Sequence, residues 1–394
     1  MTVVQSGTSA SVRAGVLATY AAFIFNGFAF ASWTSRIPQV RDGLQLDPSE
    51  LGLLLLAIAA GSLIALPLSG MVVARLGSRR TVATMAVVNG TALAVVAIGY
   101  QFGVLPVVAG LFFFGFAQGA WDVAMNVQGA LVERTLKRAI MPRFHAGFSV
   151  GTVAGALVGS GMVALDVPVT AHLLAVGALV AVLVPFSVRG FLVDSAEVDD
   201  RSRDPVRRQA LTAWREPRTL MIGFFVLAFA FAEGTGNDWT SVALIDGYGT
   251  SEVAGTLGFT AFLAAMTAGR WFGPGLLDRH GRVPVIRVMA LVSVVGVLLF
   301  VFGQFTVVAF IGAIMWGGGL SLGFPVGMSA GADEPEMAAP RVSVIASIGY
   351  CAFLAGPPLV GFLGDQLSVL TAVTAVAVLL AVAIALAGAI RPPT

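Results

Sequence analysis

Long apolar runs separated by short polar segments dominate the hydropathy pattern of the chain. Each run has the length, roughly 20 residues, that an α-helix needs to cross the hydrocarbon core of a bilayer. Backbone N–H and C=O groups must be bonded internally there, so the runs are predicted to be helices, the first retained rather than cleaved as a signal. Twelve runs are found, at residues 14–36, 49–73, 81–100, 104–132, 144–165, 169–188, 219–242, 252–276, 284–303, 305–331, 342–364 and 368–390.

Composition supports a lipid environment. Only 11% of the 394 residues are charged and 57% are hydrophobic, with a mean hydropathy of +0.90, whereas an average soluble domain has roughly 25% charged residues. A water-soluble globule is therefore excluded. Nucleic-acid binding is excluded too, because the net charge is +2 and the basic residues lie in short loops. The single cysteine, Cys351, excludes an intramolecular disulfide framework.

The distribution of Lys and Arg predicts the orientation. With a cytoplasmic N-terminus, 20 of the 23 basic residues fall on the cytoplasmic side, the outer loops keep Arg36 and Arg41, and Arg270 lies within a span. We therefore predict an all-α polytopic protein of the inner (plasma) membrane, with twelve transmembrane helices and both termini cytoplasmic. The predicted parts are a tail at 1–13, a six-helix bundle at 14–188, a linker at 189–218 and a second bundle at 219–390.

The two bundles are predicted to be copies of one unit. Three short motifs recur in order about 200 residues apart, each in the matching span or loop. They are Trp-Thr-Ser at Trp33 and Trp239, Arg-x-Gly at Arg75 and Arg279, and Leu-Val-Gly at Leu157 and Leu359. A parallel six-helix repeat is typical of transporters that rock about a site between their halves.

Two loop segments resemble a known family. Residues 70–80 (GMVVARLGSRR) resemble the signature G-x-x-x-D-R-x-G-R-R of the major facilitator superfamily (MFS), and residues 278–282 (DRHGR) resemble it in the second half. Residues 121–126 (WDVAMN), 144–149 (FHAGFS) and 233–241 (EGTGNDWTS) resemble the bacterial group of the rhizopine-transport membrane protein and its enterobacterial inner-membrane relatives.

The resemblance implies a secondary transporter that moves a small polar organic solute, such as a sugar, cyclitol or amino-sugar, by alternating access. It implies gating roles for four loop residues, Arg75, Gly77, Asp278 and Arg279. Ala74 replaces the acid of the first signature, which puts its charge latch in doubt. Gly115 stands where drug/proton antiporters carry arginine, and the fifth span lacks their proline, which argues against a standard multidrug antiporter.

The fourth span carries a polar stripe. Asp122 and Glu133 are eleven residues apart, about 20° from alignment at 100° per residue, and Gln118 and Asn126 lie one turn to either side of Asp122. Because such a stripe cannot face lipid, it is predicted to line a cavity, with a structural hydrogen-bond ladder as the alternative. Glu133 lies at the cytoplasmic boundary and is either part of a gate or a loop anchor for a nearby arginine.

The seventh span carries two acids. Glu233 lies deep in the span, Gly234 weakens the helix beside it, and Asn237 shares its face one turn on. A carboxylate taken out of water is able to hold a proton near neutral pH. Glu233 is therefore the first candidate for proton coupling and Asp122 the second, with a permanent hydrogen bond to another helix as the alternative. Asp238 is predicted to form an outer-gate hydrogen bond or a cap.

Two further ionisable residues are gating candidates. Arg270 lies eight residues before Asp278 and is predicted to pair with Asp122, Glu133 or the nearby loop, or else to snorkel at the helix end. His145 opens the fifth span, and a histidine is able to titrate near neutral pH, but such a histidine more often only caps a helix or bonds a neighbour.

Several side chains suit contact with a polar or sugar-like solute, with core packing as the alternative for the aromatic ones. They are Asn26, Phe28, Gln118, Trp121, Asn126, Asn237 and Trp316. Glycines at every fourth position from 147 to 159 predict close packing of another backbone. Glycines at 317–319 and 323 with a proline at 325 predict a broken tenth helix.

No nucleotide-binding loop, H-E-x-x-H motif or Cys/His cluster is found in the sequence, so no cofactor and no metal are expected. The expected partners are a small-molecule substrate, protons and the lipid bilayer, and the protein is expected to be a monomer. Three alternatives remain open. They are an exporter of amphipathic or drug-like compounds, a membrane enzyme acting on lipid-linked substrates, and a transporter-derived receptor without flux.

Overall fold

A computed structural model of the chain describes residues 9–138, 140–193, 212–334 and 336–392. Most of the predicted tail and linker therefore lies outside the described residues. Within the described residues the regular structure is helical, without strands. The helices are α1 (Ser9–Thr34), α2 (Ile37–Leu44), α3 (Pro48–Gly99), α4 (Val104–Leu136), α5 (Met141–Ala164), α6 (Val169–Ser187), α7 (Pro217–Tyr248), α8 (Glu252–Phe272), α9 (Pro274–His280), α10 (Arg282–Phe302), α11 (Thr306–Leu320), α12 (Gly323–Gly331), α13 (Ala338–Gln366), α14 (Val369–Ala372) and α15 (Thr374–Leu386), with short 3₁₀ turns at Val188–Gly190 and Ala387–Ile390.

The predicted all-α membrane fold is confirmed. Ten helical segments in the described part are long and apolar enough to cross a membrane. The difference from twelve has two sources. α3 contains two predicted spans that are joined at Gly77, and α8, at the predicted span 252–276, carries Glu252 and Arg270 near its ends and is not among the ten. The number twelve and the orientation of the termini stay predictions.

The backbone repeats at the signature loops. Gly77 has φ 78° and ψ 159°, and Gly281, 204 residues later, has φ 80° and ψ 165°. This region of conformational space is open essentially to glycine alone. The two sharp turns therefore place a helix on either side of equivalent glycines, which supports the duplication inferred from the motifs.

The described residues form two compact units, and the first contains those of Met1–Leu44 and Ala57–Val198. Its main contact joins α1 to α5. A Cβ at Gly151 would strike the carbonyl oxygen of Ile24, and one at Gly27 would strike that of Phe148. A Cβ at Gly155 would lie 2.5 Å from the carbonyl oxygen of Phe28. The close backbone packing predicted from the glycine ridge is present, and its partner is α1.

The second unit contains the described residues of Gln45–Leu56 and Asp199–Thr394. Gln45–Leu56 therefore groups with the second unit, although the sequence prediction assigned it to the first bundle. The physical reason is that two glycines, which have no side chain, let the backbones approach closely. A Cβ at Gly52 would strike the carbonyl oxygen of Pro357 on α13, and a Cβ at Gly361 would strike that of Pro48. Without side chains at these glycines, the start of α3 lies directly against α13.

The predicted break in the tenth span is present in the second unit. α11 ends at Leu320 and α12 begins at Gly323, so two residues interrupt the helix. Ser321 turns its hydroxyl back to the carbonyl oxygen of Gly318, at 2.8 Å. At the break, the carbonyl oxygen of Ser321 has no helical partner, because residue 325 is a proline without an N–H, and it is open to a side-chain donor.

Candidate functional site

In the first unit, the stripe on α4 is partly a hydrogen-bond ladder. Asn126 Nδ2 donates to the carbonyl oxygen of Asp122 at 2.9 Å and to Asp122 Oδ1 at 3.3 Å. Gln118 Nε2 donates to the carbonyl oxygen of Asn26 on α1, at 3.3 Å. Gln118, Asp122 and Asn126 are half-buried. These bonds are those of the predicted hydrogen-bond ladder, and the lining of a cavity by the same side chains stays a prediction.

Three buried polar atoms near this stripe have no hydrogen-bond partner among the described residues. They are Asn26 Nδ2, Gln118 Oε1 and Trp121 Nε1. A buried group left unsatisfied costs roughly 1–3 kcal/mol, more in lipid than at a wet surface. Atoms of this kind are the first that a polar solute or water is expected to satisfy.

Glu133 anchors a helix start. Its Oε2 accepts hydrogen bonds from the backbone N–H groups of Ile140 and Met141, each at 2.8 Å, at the beginning of α5. The anchoring role was anticipated, but the partners are backbone amides and no arginine contact is seen among the described residues. His145 is exposed on the first turns of α5, with its ring edge-on to Phe23 at 5.1 Å.

In the second unit, Arg270 of α8 forms an ion pair with Glu233 of α7. Arg270 Nη2 donates to both carboxylate oxygens, at 2.8 and 2.9 Å. The expectation that Arg270 pairs with Asp122 or Glu133 is wrong. The reason is its position, because α8 packs on α7 within the same unit and reaches Glu233 first. The two side chains remain 27% and 21% exposed, so the pair is not sealed in dry packing.

The same arginine also reaches the broken helix. Its Nε donates to the carbonyl oxygen of Ser321 at 3.4 Å, the group that the interruption between α11 and α12 leaves without a helical partner. One guanidinium therefore joins three helical segments. The carbonyl oxygen that is free at the break needs a donor, and the partly buried guanidinium of Arg270 needs acceptors. Each group therefore satisfies the other.

Two further polar residues on α7 flank the ion pair. Asn237 is one turn after Glu233, and its Oδ1 is buried without a hydrogen-bond partner in the described part of the chain. Asp238 is half-buried and makes no hydrogen bond or ion pair within the described residues. The gating contact predicted for Asp238 stays a prediction.

Sequence and structure comparisons identify the family. The sequence model described as Major Facilitator Superfamily matches residues 19–340. An uncharacterized MFS-type transporter of Yersinia pestis is 32% identical over 378 residues, covering 96% of this chain and 94% of that protein. The membrane protein MosC of Rhizobium meliloti is 27% identical over 348 residues, covering 87% and 82%. A crystal structure of the nucleoside transporter NupG, 15% identical, has a TM-score of 0.75 over 95% of this chain and 98% of that one.

The chain belongs to the major facilitator superfamily. The resemblance seen in the loop signatures, including the finer one to the group of MosC, is confirmed. MFS proteins are multi-pass membrane transporters of small molecules and not enzymes, so the hypothesis of an enzyme acting on lipid-linked substrates is dropped. Within the described residues, no group of three His, Cys, Asp or Glu side chains is placed to hold a metal ion.

The charged residues in the signature loops of this MFS member lie at the surface. Arg75, Asp278 and Arg279 are exposed. Beside Gly77, the buried Ser78 donates its hydroxyl to Gln128 Oε1 on α4, at 3.1 Å. This contact ties the first loop to α4 through neutral groups, in the half where Ala74 replaces the usual acid. The gating roles of these residues stay predictions.

The tryptophans singled out as solute contacts have buried rings, and their role in solute binding stays a prediction. Trp316 is fully buried, with ring edges facing Phe262 at 5.2 Å and Phe300 at 5.6 Å. Trp121 is also fully buried, whereas Phe28 is half-buried. Among the candidates, Gln118, Asn126, Asn237 and Phe28 are thus more exposed than the two tryptophans.

Sequence reasoning missed an ionic cluster at the end of the second unit where α7 begins. Asp333, after α12, accepts from Arg218 Nη2 at 2.9 Å and from Arg282 Nη1 at 2.7 Å. Arg341 Nε donates to Glu216 Oε2 at 2.6 Å, which lowers the pKa of Glu216 below its ordinary 4.5. A sequence signal was available, because the Pro-Arg step at 340–341 repeats the one at 142–143.

Proposed function

We propose that this MFS transporter moves a small polar organic solute across the inner (plasma) membrane together with protons. The observation that carries the proposal is the partly exposed ion pair of Glu233 and Arg270 within apolar helices. Ionisable pairs inside membrane helices are expensive, and their usual use is in ion or substrate pathways. By alternating access, the site is exposed first to one side of the membrane and then to the other.

Protonation of Glu233 would couple the movement of a proton to a change in helix contacts. A proton on the carboxylate removes its charge and weakens both contacts with Arg270 Nη2. The guanidinium is then held by the carbonyl oxygen of Ser321 alone, so the link between α7, α8 and the helix break loosens. A change of one proton thereby alters the contacts among three helical segments, which is what coupling requires.

The polar nature of the solute is supported by what lies near the pair. Asn237 and Asp238 follow Glu233 on α7, whereas the rings of Trp239 and Trp316 in the same unit are fully buried. An exporter of amphipathic compounds needs accessible apolar and aromatic surface. One structural neighbour, NupG, is a nucleoside transporter by name, and nucleosides are polar solutes, which is consistent with the proposed solute class. We also propose that the protein works as a monomer, which light scattering of the detergent-solubilised protein tests.

The test uses the purified protein in proteoliposomes. Thermal-shift screening against polar solutes selects one that binds, and its uptake is then measured with and without an imposed pH gradient. Wild-type protein is expected to accumulate the solute only with the gradient. Glu233→Gln is expected to lose accumulation at least tenfold while retaining downhill exchange, because the switchable charge is gone.

Asp246→Asn is the matched control, since it removes an exposed acid near the C-terminal end of the same helix, far along it from Glu233, and is expected to leave accumulation unchanged. Asp122→Asn tests the second candidate acid in the same assay. Full proton coupling in both Glu233→Gln and Asp122→Asn contradicts the proposal. Binding without any flux points instead to a receptor.

A further inference from the structure

The ion pair of α7 and α8 has unused hydrogen-bonding capacity. Both bonds to Glu233 leave from a single nitrogen, Nη2 of Arg270, and Nε is directed to Ser321. Arg270 Nη1 therefore keeps two N–H groups without a partner in the described residues, and each carboxylate oxygen keeps a free lone pair. Because both side chains are partly exposed, a solute can reach these atoms.

A third group extends the same face. Asn237 lies four residues after Glu233, which places it one helical turn away and about 40° around the axis. Its Oδ1 is buried and unpartnered within the described part of the chain. Glu233 and Asn237 therefore both offer acceptors, while Arg270 Nη1 offers donors. A ligand that satisfies all three must both donate and accept, which is the property of a hydroxyl group.

The surroundings supply an apolar wall. Phe353 of α13 is half-buried, and its ring carbons lie 3.5 and 3.6 Å from where a Cβ at Gly234 would stand, next to Glu233. Solute sites commonly combine such apolar surface with a few placed polar groups. The ring therefore lies against α7 at the level of Glu233, where apolar surface adjoins the ion pair.

The net charge of the cluster narrows the class of solute further. Glu233 and Arg270 carry opposite charges that cancel, and Asn237 is neutral. The other acid nearby on α7, Asp238, is five residues from Glu233 and about 140° around the helix, so it faces elsewhere. A charged solute brought to a neutral, partly desolvated pair has no counter-charge to compensate its loss of water. A neutral solute meets no such cost.

We propose that Glu233, Arg270 and Asn237 form a subsite for a neutral polyhydroxylated solute. One hydroxyl accepts from Arg270 Nη1 and donates to Glu233, and its neighbour donates to Asn237 Oδ1. This inference rests on the proposed transport function and deepens it by naming the solute class. It narrows the sugar, cyclitol or amino-sugar expectation to the members without charge.

The experiment measures binding by thermal shift and counterflow in proteoliposomes without a pH gradient. The probes are neutral myo-inositol, glucose and ribose, with cationic glucosamine and anionic glucuronate as shape-matched charged partners. The wild type is expected to bind at least one neutral probe at least tenfold more tightly than either charged partner. Asn237→Asp adds a negative charge to the subsite and is expected to shift that preference at least tenfold towards glucosamine.

Two controls exclude loss of fold as the cause. Arg287→Lys, on an exposed arginine of α10 outside the subsite, is expected to behave as wild type, and the melting temperature of Asn237→Asp without any probe is expected to match that of the wild type. Stronger binding of a charged probe, binding of no probe, or an unchanged preference in a folded Asn237→Asp overturns the subsite. Because counterflow needs no gradient, loss of proton coupling with the preference intact overturns only the proposed coupling.

Discussion

Glu216 and Arg341 show how a charged contact at the edge of the membrane depends on pH. Two nitrogens of Arg341 reach the carboxylate, at 2.6 and 3.2 Å, and the hydroxyl of Thr219 donates to it at 2.7 Å. These bonds favour the ionised carboxylate and lower the pKa of Glu216 from 4.5. The pair joins the start of α7 to the start of α13.

We expect Glu216→Gln to lower the thermal stability at neutral pH by an amount typical of a partly exposed pair, about 0.5–1 kcal/mol. Because the pKa is lower in the folded protein, the contribution is complete above pH 4.5 and disappears as the pH falls through the lowered value. Melting curves of both proteins across this range measure it. A difference that persists in strong acid contradicts this account, and Glu336→Gln, which removes an exposed acid that makes no ion pair within the described residues, is the control.

The sequence predicted which ionisable residues matter better than which partners they have. Glu233, Arg270 and Glu133 were all singled out, but Arg270 contacts Glu233, and Glu133 binds backbone amides. A span that is apolar on all sides carries no periodic signal for the direction in which one polar side chain points. The partner therefore depends on how the helices pack, which the hydropathy pattern of a single sequence does not reveal.

At the scale of elements, the α1–α5 contact is a close backbone contact within the first unit. Backbone meets backbone at Gly151 and Gly27, so the helices approach more closely than side chains would allow. This element was predictable, because glycine at every fourth position leaves a smooth strip on one helix face. The break between α11 and α12 was predictable for a similar reason, since glycines and a proline weaken a helix wherever it packs.

Gly151→Ala is expected to destabilise the protein by about 1–3 kcal/mol, since the new methyl group meets a carbonyl oxygen of α1 that cannot rotate away. Gly161→Ala is the matched control on the same helix. It has no heavy atom within 4 Å of the added Cβ and is expected to be neutral or slightly stabilising. Thermal unfolding in detergent compares them. Equal melting temperatures of the two variants refute the tight contact.

At the scale of the whole molecule, the sequence alone predicted two properties. They are the duplication of a six-helix unit and the orientation given by the distribution of Lys and Arg. The glycine turns at Gly77 and Gly281 have the same backbone conformation. The grouping of Gln45–Leu56 with the second unit was not predictable, because it depends on Gly52 and Gly361 meeting the backbone of distant segments. Hydropathy finds each span but carries no information about such contacts between spans.

The predicted orientation is tested by labelling single cysteines in intact cells. In a Cys351→Ala background, Asp246→Cys is expected to react with a membrane-impermeant maleimide, because it lies on the predicted outer side. Arg80→Cys is expected to react only after permeabilisation. Both positions are exposed in the structure, so burial does not confound the comparison. Labelling of Arg80→Cys in sealed cells contradicts a cytoplasmic N-terminus.

The seam between α1 and α5 also limits how this protein can change over generations. Where no methyl group fits, nearly every substitution carries a stability penalty, so drift along that strip is slow. Helices without such a strip accept new side chains at lower cost. Descendants that transport a different solute are therefore expected to have their substitutions on other helices and to keep the contact between α1 and α5 unchanged.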